Sequence, residues 1–260
     1  MKLIIIIIVF LFVSAELTAT EVQNVSTKRN FKSLVFVSMG MAFSSGSTDF
    51  FSVYNNEFSG SKRDFKQTPL IGFGTKFRFG NYRAGIQAHV LNSRLQDFYE
   101  DYVDEGELSG YRQHGQNIEF TDIPVIGTLE YIPYIGQFRT YVGGGLGFML
   151  RKFEWFESVK SGIPLDRRTG GTHYEDIDIF PFFKLYSGLE LGFDKKSEDT
   201  FLGSLIIEAS YNYSAGGADI FKNARRQFVP AKPKLKDRYN VLPGYIALTL
   251  SVTFNFNKVS

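Results

Sequence analysis

The sequence predicts an all-β protein, an eight-stranded antiparallel up-and-down transmembrane β-barrel with long extracellular loops and short periplasmic turns. Eight segments alternate apolar and non-apolar residues with a period of two, which is the period of a β-strand. The links between these segments alternate between short and long. In several segments the non-apolar face carries Lys, Arg or Glu, which favours a polar interior and an apolar face toward lipid.

The last segment shows this alternation most clearly. One face carries apolar residues, namely Ile246, Leu248, Leu250, Val252, Phe254 and Phe256. The opposite face is mostly polar or small, with Tyr245, Ala247, Thr249, Ser251, Thr253 and Asn255. The eight predicted strands cover about residues 31–43, 71–79, 82–90, 117–131, 139–150, 183–193, 201–213 and 245–256.

The links between the strands complete the predicted layout. Long links cover about residues 44–68, 92–116, 152–176 and 215–241, and short ones cover 80–81, 133–137 and 194–200. Gly80-Asn81 suits a two-residue hairpin. The alternation in strand four changes phase near residues 122–124, so Ile118 and Phe120 are predicted to face outward, with a bulge at Pro124. A soluble lipocalin-type barrel also has eight strands, but strands longer than ten residues favour a membrane barrel.

Composition and the first residues are consistent with an exported membrane protein. The 260 residues carry a net charge of +2, which gives no reason to expect a nucleic-acid partner. The 27 Phe, 14 Tyr and 25 Gly suit interfacial aromatics and curved strands, and Cys is absent. Lys2 and the apolar run 3–13 predict a signal peptide over residues 1–19, cleaved after Ala15 or Ala19, with a retained anchor helix as the alternative. A lead of 20–30, a barrel domain of 31–256 and a tail of 257–260 would follow.

The strand phases place a charge network inside the barrel. Its predicted members are five cations and four carboxylates, namely Lys76, Arg78, Arg83, Arg139 and Lys184 with Glu119, Glu130, Glu190 and Glu208. An eight-stranded barrel has room only for its own side chains or one small ligand. Because unpaired buried charges are costly, the prediction is a mutually paired, largely filled interior, with a narrow solute channel as the alternative.

Two of the long links are strongly charged. The link at 92–116 is acidic, and the link at 215–241 is basic, with Lys222, Arg225, Arg226, Lys232, Lys234, Lys236 and Arg238. Such runs are commonly just solvated. The basic link could instead contact anionic outer-leaflet lipid, lipopolysaccharide or an extracellular ligand, or the two links could pair across the barrel mouth.

Catalysis and cofactors find little support in the sequence. His89 with Ser93 and the nearby loop acids could serve a lipid-modifying enzyme, but polar sets of this kind arise by chance in any barrel. The acidic link lacks the spacing of a calcium loop. The prediction is therefore a non-enzymatic protein without cofactor or metal.

A motif across strands four and five resembles a known family. The stretch 118–127 (IEFTDIPVIG), then Tyr131, then 139–147 (RTYVGGGLG) resembles the outer membrane protein β-barrel domain family, the porin-family proteins common in Bacteroidota and related Gram-negative bacteria. The resemblance implies the eight-stranded layout, and the family's porin label implies transport.

Together these patterns predict an integral outer-membrane protein whose surface loops serve adhesion, envelope contact or ligand binding. Outer-membrane lipid and, during biogenesis, the barrel-assembly machinery are its expected partners.

Overall fold

The chain folds into a closed barrel of eight antiparallel strands. The computed structural model describes residues 32–44, 49–57, 67–103, 110–133, 136–159, 173–193, 201–215 and 244–255. The strands are β1 (Lys32–Ser44), β2 (Thr68–Phe79), β3 (Tyr82–Val103), β4 (Gly110–Tyr131), β5 (Phe138–Val159), β6 (His173–Gly192), β7 (Leu202–Ser214) and β8 (Gly244–Asn255). Each strand pairs with the next along the chain, and β8 pairs with β1. The predicted fold class is confirmed.

The tight turn between β2 and β3 is as the sequence predicts. Gly80 has a φ of 64° at the first loop position, as a type II′ hairpin turn requires. Several other predictions fall on residues that the structure does not describe. These are the signal peptide, the lead and tail, the basic link and most of the acidic link, so they stay predictions.

Four adjacent strands are much longer than the other four. β3, β4 and β5 each have 22 residues and β6 has 20, whereas β1, β2, β7 and β8 have 12 or 13. The pairing of β2 with β3 ends at Leu70 and Leu91, and that of β6 with β7 ends at Phe182 and Ser214. The long strands therefore continue as a four-stranded sheet above the barrel, here called the protruding sheet (residues 92–103, 110–121, 152–159 and 173–180).

This sheet corrects two predicted loops. Residues 92–116 and 152–176 are largely strand, and only 104–109 and 160–172 lie between the described strands. The alternation had continued along β3, where Leu91, Ser93, Leu95 and Asp97 are buried. Charged neighbours at alternate positions concealed this pattern.

The predicted bulge in β4 is wrong. Ala88 pairs with Val125, and Leu91 pairs with Asp122, at the same register on both sides of Pro124. The pairing of β4 with β5 is continuous through the same residues. Pro124 lacks a backbone N–H, so it interrupts the ladder locally without inserting an extra residue. The register shift that the structure does contain lies between Leu202 and Ser204, at Gly203.

The change of phase in β4 has a different cause. Ile118 and Phe120, predicted to face outward, are buried on the inner face together with Ile126 and Glu130. Inside the bilayer the outer face meets lipid and is apolar, whereas above it the outer face meets water and is polar. The hydrophobic face therefore changes sides along one regular strand.

A band of exposed apolar side chains encircles the barrel below the protruding sheet. It includes Val37, Met39, Ile71, Ile86, Leu129, Val142, Leu146, Leu185, Leu189, Ile207, Leu248 and Leu250. Exposed aromatics border the band near the short turns (Phe79, Tyr82, Tyr131, Phe138, Phe193, Phe201) and near the long links (Phe43, Phe148, Phe183, Tyr211, Tyr213). From Phe138 to Phe148 a tilted strand rises about 25 Å, which matches the apolar band of outer-membrane barrels.

A short helix, α1 (Asp49–Glu57), lies in the link between β1 and β2, which was predicted to be a loop. Phe50, Phe51 and Tyr54 are buried. Their spacing places them along one helix face. Nine residues are too few for such a spacing to identify a helix reliably from sequence.

The orientation of β6 yields a direct test. Leu189→Arg is expected to destabilise the barrel by about 2–4 kcal/mol, because Leu189 faces outward within the apolar band. Ile177→Arg is the matched control, since Ile177 also faces outward but pairs with Lys152 above the band. Urea unfolding in lipid vesicles measures both. Equal stability of parent and Leu189→Arg protein would contradict the lipid-facing assignment.

Candidate functional site

The interior of the barrel is filled in layers. The layer nearest the short turns contains eight charged side chains, here called the interior charge cluster (Lys76, Arg78, Arg83, Glu130, Arg139, Lys184, Glu190 and Glu208). All eight are buried. They project inward because each lies at an inward position of its alternating strand, and glycines on the facing strands leave room for long side chains.

Glu130 on β4 is the first centre of the cluster. It accepts hydrogen bonds from Nε of Arg83 and, at 3.1 Å, from the hydroxyl of Tyr186. Nζ of Lys76 lies 2.6 Å from Oε1 of Glu130, so two cations share this carboxylate. Glu130 is only 1% exposed, which makes the pairing obligatory for its charge.

Glu190 on β6 is the second centre. Nη1 of Arg83 donates to it at 2.6 Å, Nη1 of Arg139 at 3.0 Å, and the hydroxyl of Ser204 at 2.8 Å. Arg83 thus bridges Glu130 and Glu190, and its guanidinium lies 5.0 Å from the ring centre of Tyr141. The cluster connects β3, β4, β5, β6 and β7 across the lumen.

Glu208 on β7 is the third centre. Nζ of Lys184 donates to it at 2.6 Å and the hydroxyl of Tyr141 at 2.9 Å. Nearer the short turns, Nε of Arg78 donates to the carbonyl of Gly80 at 3.2 Å, and Nε of Arg139 donates to the carbonyl of Gly136 at 2.6 Å. Both arginines therefore hold turns as well as facing the cluster.

The remaining predicted member, Glu119, does not lie in the barrel interior. It faces outward on the protruding sheet, where it accepts a hydrogen bond of 2.6 Å from Nδ2 of Asn92. The error follows from the bulge predicted in β4, because an inserted residue would have reversed the faces above it. Without Glu119, five cations in the cluster face three carboxylates.

Sequence reasoning missed a second buried ion pair. Arg151 on β5 donates Nε and Nη2 to the two oxygens of Asp122 on β4, at 2.7 and 2.8 Å. The guanidinium lies 5.6 Å from the ring centre of Phe180. Extending the alternation of strand five by one residue would have placed Arg151 inward, so the signal was present in the sequence.

Glycines receive the two tyrosines of the cluster. Tyr141 pairs with Gly188, and Gly143 pairs with Tyr186, across the same two strands. A Cβ at Gly188 would lie 2.4 Å from the hydroxyl of Tyr141, and one at Gly143 would lie 2.6 Å from the ring of Tyr186. These glycines therefore allow each ring to lie flat against the wall and reach a carboxylate.

This packing predicts that Gly188→Ala destabilises the barrel by about 1–3 kcal/mol, because the added methyl displaces Tyr141 from Glu208. Gly144→Ala is the matched control, since a Cβ there faces outward and its nearest contact is an ordinary 3.5 Å to Leu185. Urea unfolding of the refolded proteins measures both. Equal effects would mean that Tyr141 and Gly188 do not pack as described.

An aromatic layer closes the opposite end of the lumen. Phe50 contacts Phe120 edge to face with ring centres 5.7 Å apart, and Tyr54 contacts Trp155 at 6.1 Å. The hydroxyl of Tyr54 donates to Oε1 of Gln116 at 2.7 Å. Helix α1 thus packs against the inner face of the protruding sheet and blocks the barrel mouth.

His89 lies between these layers. It is buried within the barrel, close to Gly72, and its Nδ1 has no hydrogen-bond partner among the described residues. Ser93 forms a 2.7 Å hydrogen bond with Thr68 instead. The two residues that a lipid-modifying site would need therefore face the lumen and not lipid.

The outer face of the protruding sheet is polar. Nζ of Lys152 lies 2.7 Å from Glu154 and 3.1 Å from Glu175. The hydrogen bonds that it donates to Glu154 and Glu175 raise the pKa of Lys152. Two exposed aromatics, Phe98 and Phe156, interrupt this polar face. No described cluster of His, Asp or Glu could hold a metal ion.

Together, the closed sheet, the apolar band and the polar, ion-paired interior define a transmembrane β-barrel of the outer-membrane type. None of the described helices is long and apolar enough to cross a membrane.

Comparisons with known proteins give similar architectures at low similarity. The attachment invasion locus protein Ail of Yersinia pestis, solved with the heparin analogue sucrose octasulfate, is 17% identical with a TM-score of 0.39, over 86% of this chain and 99% of that one. Neisserial surface protein A is 12% identical with a TM-score of 0.38, over 87% and 97%. The N-terminal barrel domain of OprF from Pseudomonas aeruginosa is 13% identical with a TM-score of 0.32, over 86% and 98%.

These scores are too low to carry an argument, so the architecture stated above comes from the strand pairing of this chain. No family model matches the sequence, and no curated protein matches it. The resemblance to the porin-family barrels stays a prediction.

Proposed function

We propose that this chain is an integral protein of the bacterial outer membrane that uses a filled barrel to display a β-sheet at the cell surface. The displayed sheet serves adhesion, envelope contact or ligand binding. The observation that carries this proposal is the length of β3 to β6, which exceeds that of the other strands by seven to ten residues. A barrel that only spanned the bilayer would not need this extension.

Two exposed aromatics support a binding role for the protruding sheet. Phe98 on β3 and Phe156 on β5 are 58% and 47% exposed, and both lie on the outer face above the apolar band. Exposed aromatics outside the membrane, surrounded by polar residues, are typical of contact surfaces between proteins. In this proposal they supply the apolar part of a contact and the charged row around Lys152 supplies its polar rim.

The filled lumen argues against the two alternative functions. A solute channel would have to pass both the aromatic layer at α1 and the interior charge cluster. A lipid-modifying enzyme would need His89 at the lipid surface, whereas the residue lies inside the barrel. We therefore propose no enzymatic activity, and outer-membrane lipid, lipopolysaccharide or an extracellular ligand as partners, with the barrel-assembly machinery acting during biogenesis.

The proposal predicts that Phe98→Ser combined with Phe156→Ser reduces surface binding at least tenfold while the barrel still folds. Bacteria displaying the protein would be assayed for attachment to immobilised sulfated glycan, extracellular-matrix protein and lipopolysaccharide. Gln96→Ser is the control, since Gln96 shares the exposed face of β3. If the displayed parent protein adds no attachment to any of these surfaces, or if the double variant attaches as well as the parent, the proposal fails.

A further inference from the structure

The interior charge cluster contains more cations than its carboxylates can neutralise. Among the described residues of this layer, Lys76, Arg78, Arg83, Arg139 and Lys184 face only Glu130, Glu190 and Glu208. The Asp122–Arg151 pair is complete in itself and adds no carboxylate to the layer. Because an excess of buried charge is costly, such a layer calls for a further anion.

The excess is concentrated on three arginines near the short turns. Arg78 and Arg83 are directly opposite each other on β2 and β3, both on the inner face. Like charges in this position repel each other. Arg78 also lies within electrostatic range of Arg139, and Glu190 is the carboxylate that acts on all three.

One buried donor in this group has no partner. Nη2 of Arg83 is shielded from solvent and forms no hydrogen bond with the described residues. Its Nε and Nη1 are engaged by Glu130 and Glu190, so the guanidinium is fixed in place. Guanidinium groups bind oxyanions through two parallel N–H donors, which makes an oxyanion the matching ligand.

Polar side chains from the opposite wall are available beside this position. The hydroxyl of Ser204 donates to Glu190 and lies 2.8 Å from the hydroxyl of Thr253. Asn255 is buried next to them, near Gly203. Hydroxyl and amide groups of this kind can complete the coordination of an oxyanion between arginines.

We propose that the short-turn end of the barrel binds a small oxyanion, of the phosphate or sulfate type, between Arg78, Arg83 and Arg139. The anion neutralises the excess positive charge of the interior charge cluster and joins β2, β3 and β5 at the periplasmic end. This site is separate from the protruding sheet, so its test is independent of the proposed surface function.

The test uses the full chain refolded in a maltoside detergent without phosphate groups. Inorganic phosphate or sulfate is titrated calorimetrically at constant ionic strength, and urea unfolding is followed through the single tryptophan, Trp155. We expect saturable binding of one anion per chain and an unfolding midpoint that rises with anion concentration. Vesicles with and without phosphatidic acid, in phosphate-free buffer, distinguish a lipid headgroup from a free anion as the source.

Arg78→Gln separates this proposal from a general salt effect. We expect it to weaken anion binding at least tenfold and to abolish the anion dependence of unfolding, without lowering the anion-free stability, because it removes the repulsion from Arg83. Lys152→Gln, on the outer face, is expected to bind like the parent. The proposal is overturned if binding is not saturable, or if Arg78→Gln and Lys152→Gln respond to the anion alike. Charges elsewhere in the chain, such as Asp194, Glu198 and Asp199 of the turn before β7, would then neutralise the cluster.

Discussion

Glu130→Gln is expected to reduce the free energy of unfolding of the barrel by about 3–5 kcal/mol. Glu130 is shared by Lys76 and Arg83 and also accepts from Tyr186. Without its charge, two buried cations lose a common partner in a place that water cannot reach freely. Breaking a buried ion pair from one side is costly because the remaining charge stays buried.

The matched control for this substitution is Glu154→Gln. Glu154 also pairs with a lysine at 2.7 Å, but on the solvated outer face of the protruding sheet. Exposed pairs contribute about 0–1 kcal/mol, so the control is expected to unfold nearly as the parent does. Urea unfolding in vesicles compares the two. If both substitutions cost the same, the cluster does not hold the barrel together in the way its geometry indicates.

Phe50→Ala is expected to release helix α1 from the barrel mouth. The substitution removes a fully buried ring that contacts Phe51, Tyr54 and Phe120. Large-to-small changes of this kind cost about 3–5 kcal/mol, more than a nine-residue helix can replace by its own propensity. The helix should therefore detach locally while the strands of the barrel stay paired.

Trp155 provides the readout for this release, because it contacts Tyr54 and is buried beside α1. We expect its fluorescence to shift to the red and become quenchable by iodide, with unchanged gel mobility of the unheated barrel. Tyr54→Phe is the control, since it removes only the hydrogen bond to Gln116 and should cost about 0.5–1.5 kcal/mol. An unshifted spectrum in the Phe50→Ala protein would show that α1 does not depend on this contact.

The barrel itself could be predicted from the sequence, because within the bilayer the outer face is apolar and the inner face polar. Val142, Leu146 and Leu185 follow this rule and are exposed in the structure. The rule fails above the membrane. There the outer face meets water, and Ile118, Phe153 and other apolar residues turn inward against α1.

Periodicity alone could not distinguish a bulge from a change of environment, since both reverse the apolar face of the strand. That ambiguity misplaced Ile118, Phe120 and Glu119 together. The pairing inside the charge cluster was beyond the sequence for a different reason. Alternation indicates which residues point inward, but only the register determines that Arg83 reaches both Glu130 and Glu190.

The central claim is that this barrel is filled and does not serve as a channel. Single-channel recording in a planar bilayer tests it most directly, with heat-modifiable gel mobility as the check that the inserted protein is folded. We predict no stable discrete openings from the parent protein, since the aromatic layer at α1 and the interior charge cluster close the lumen at both ends. Reproducible unitary openings from folded protein would contradict the claim and would identify the interior charges as the lining of a pore.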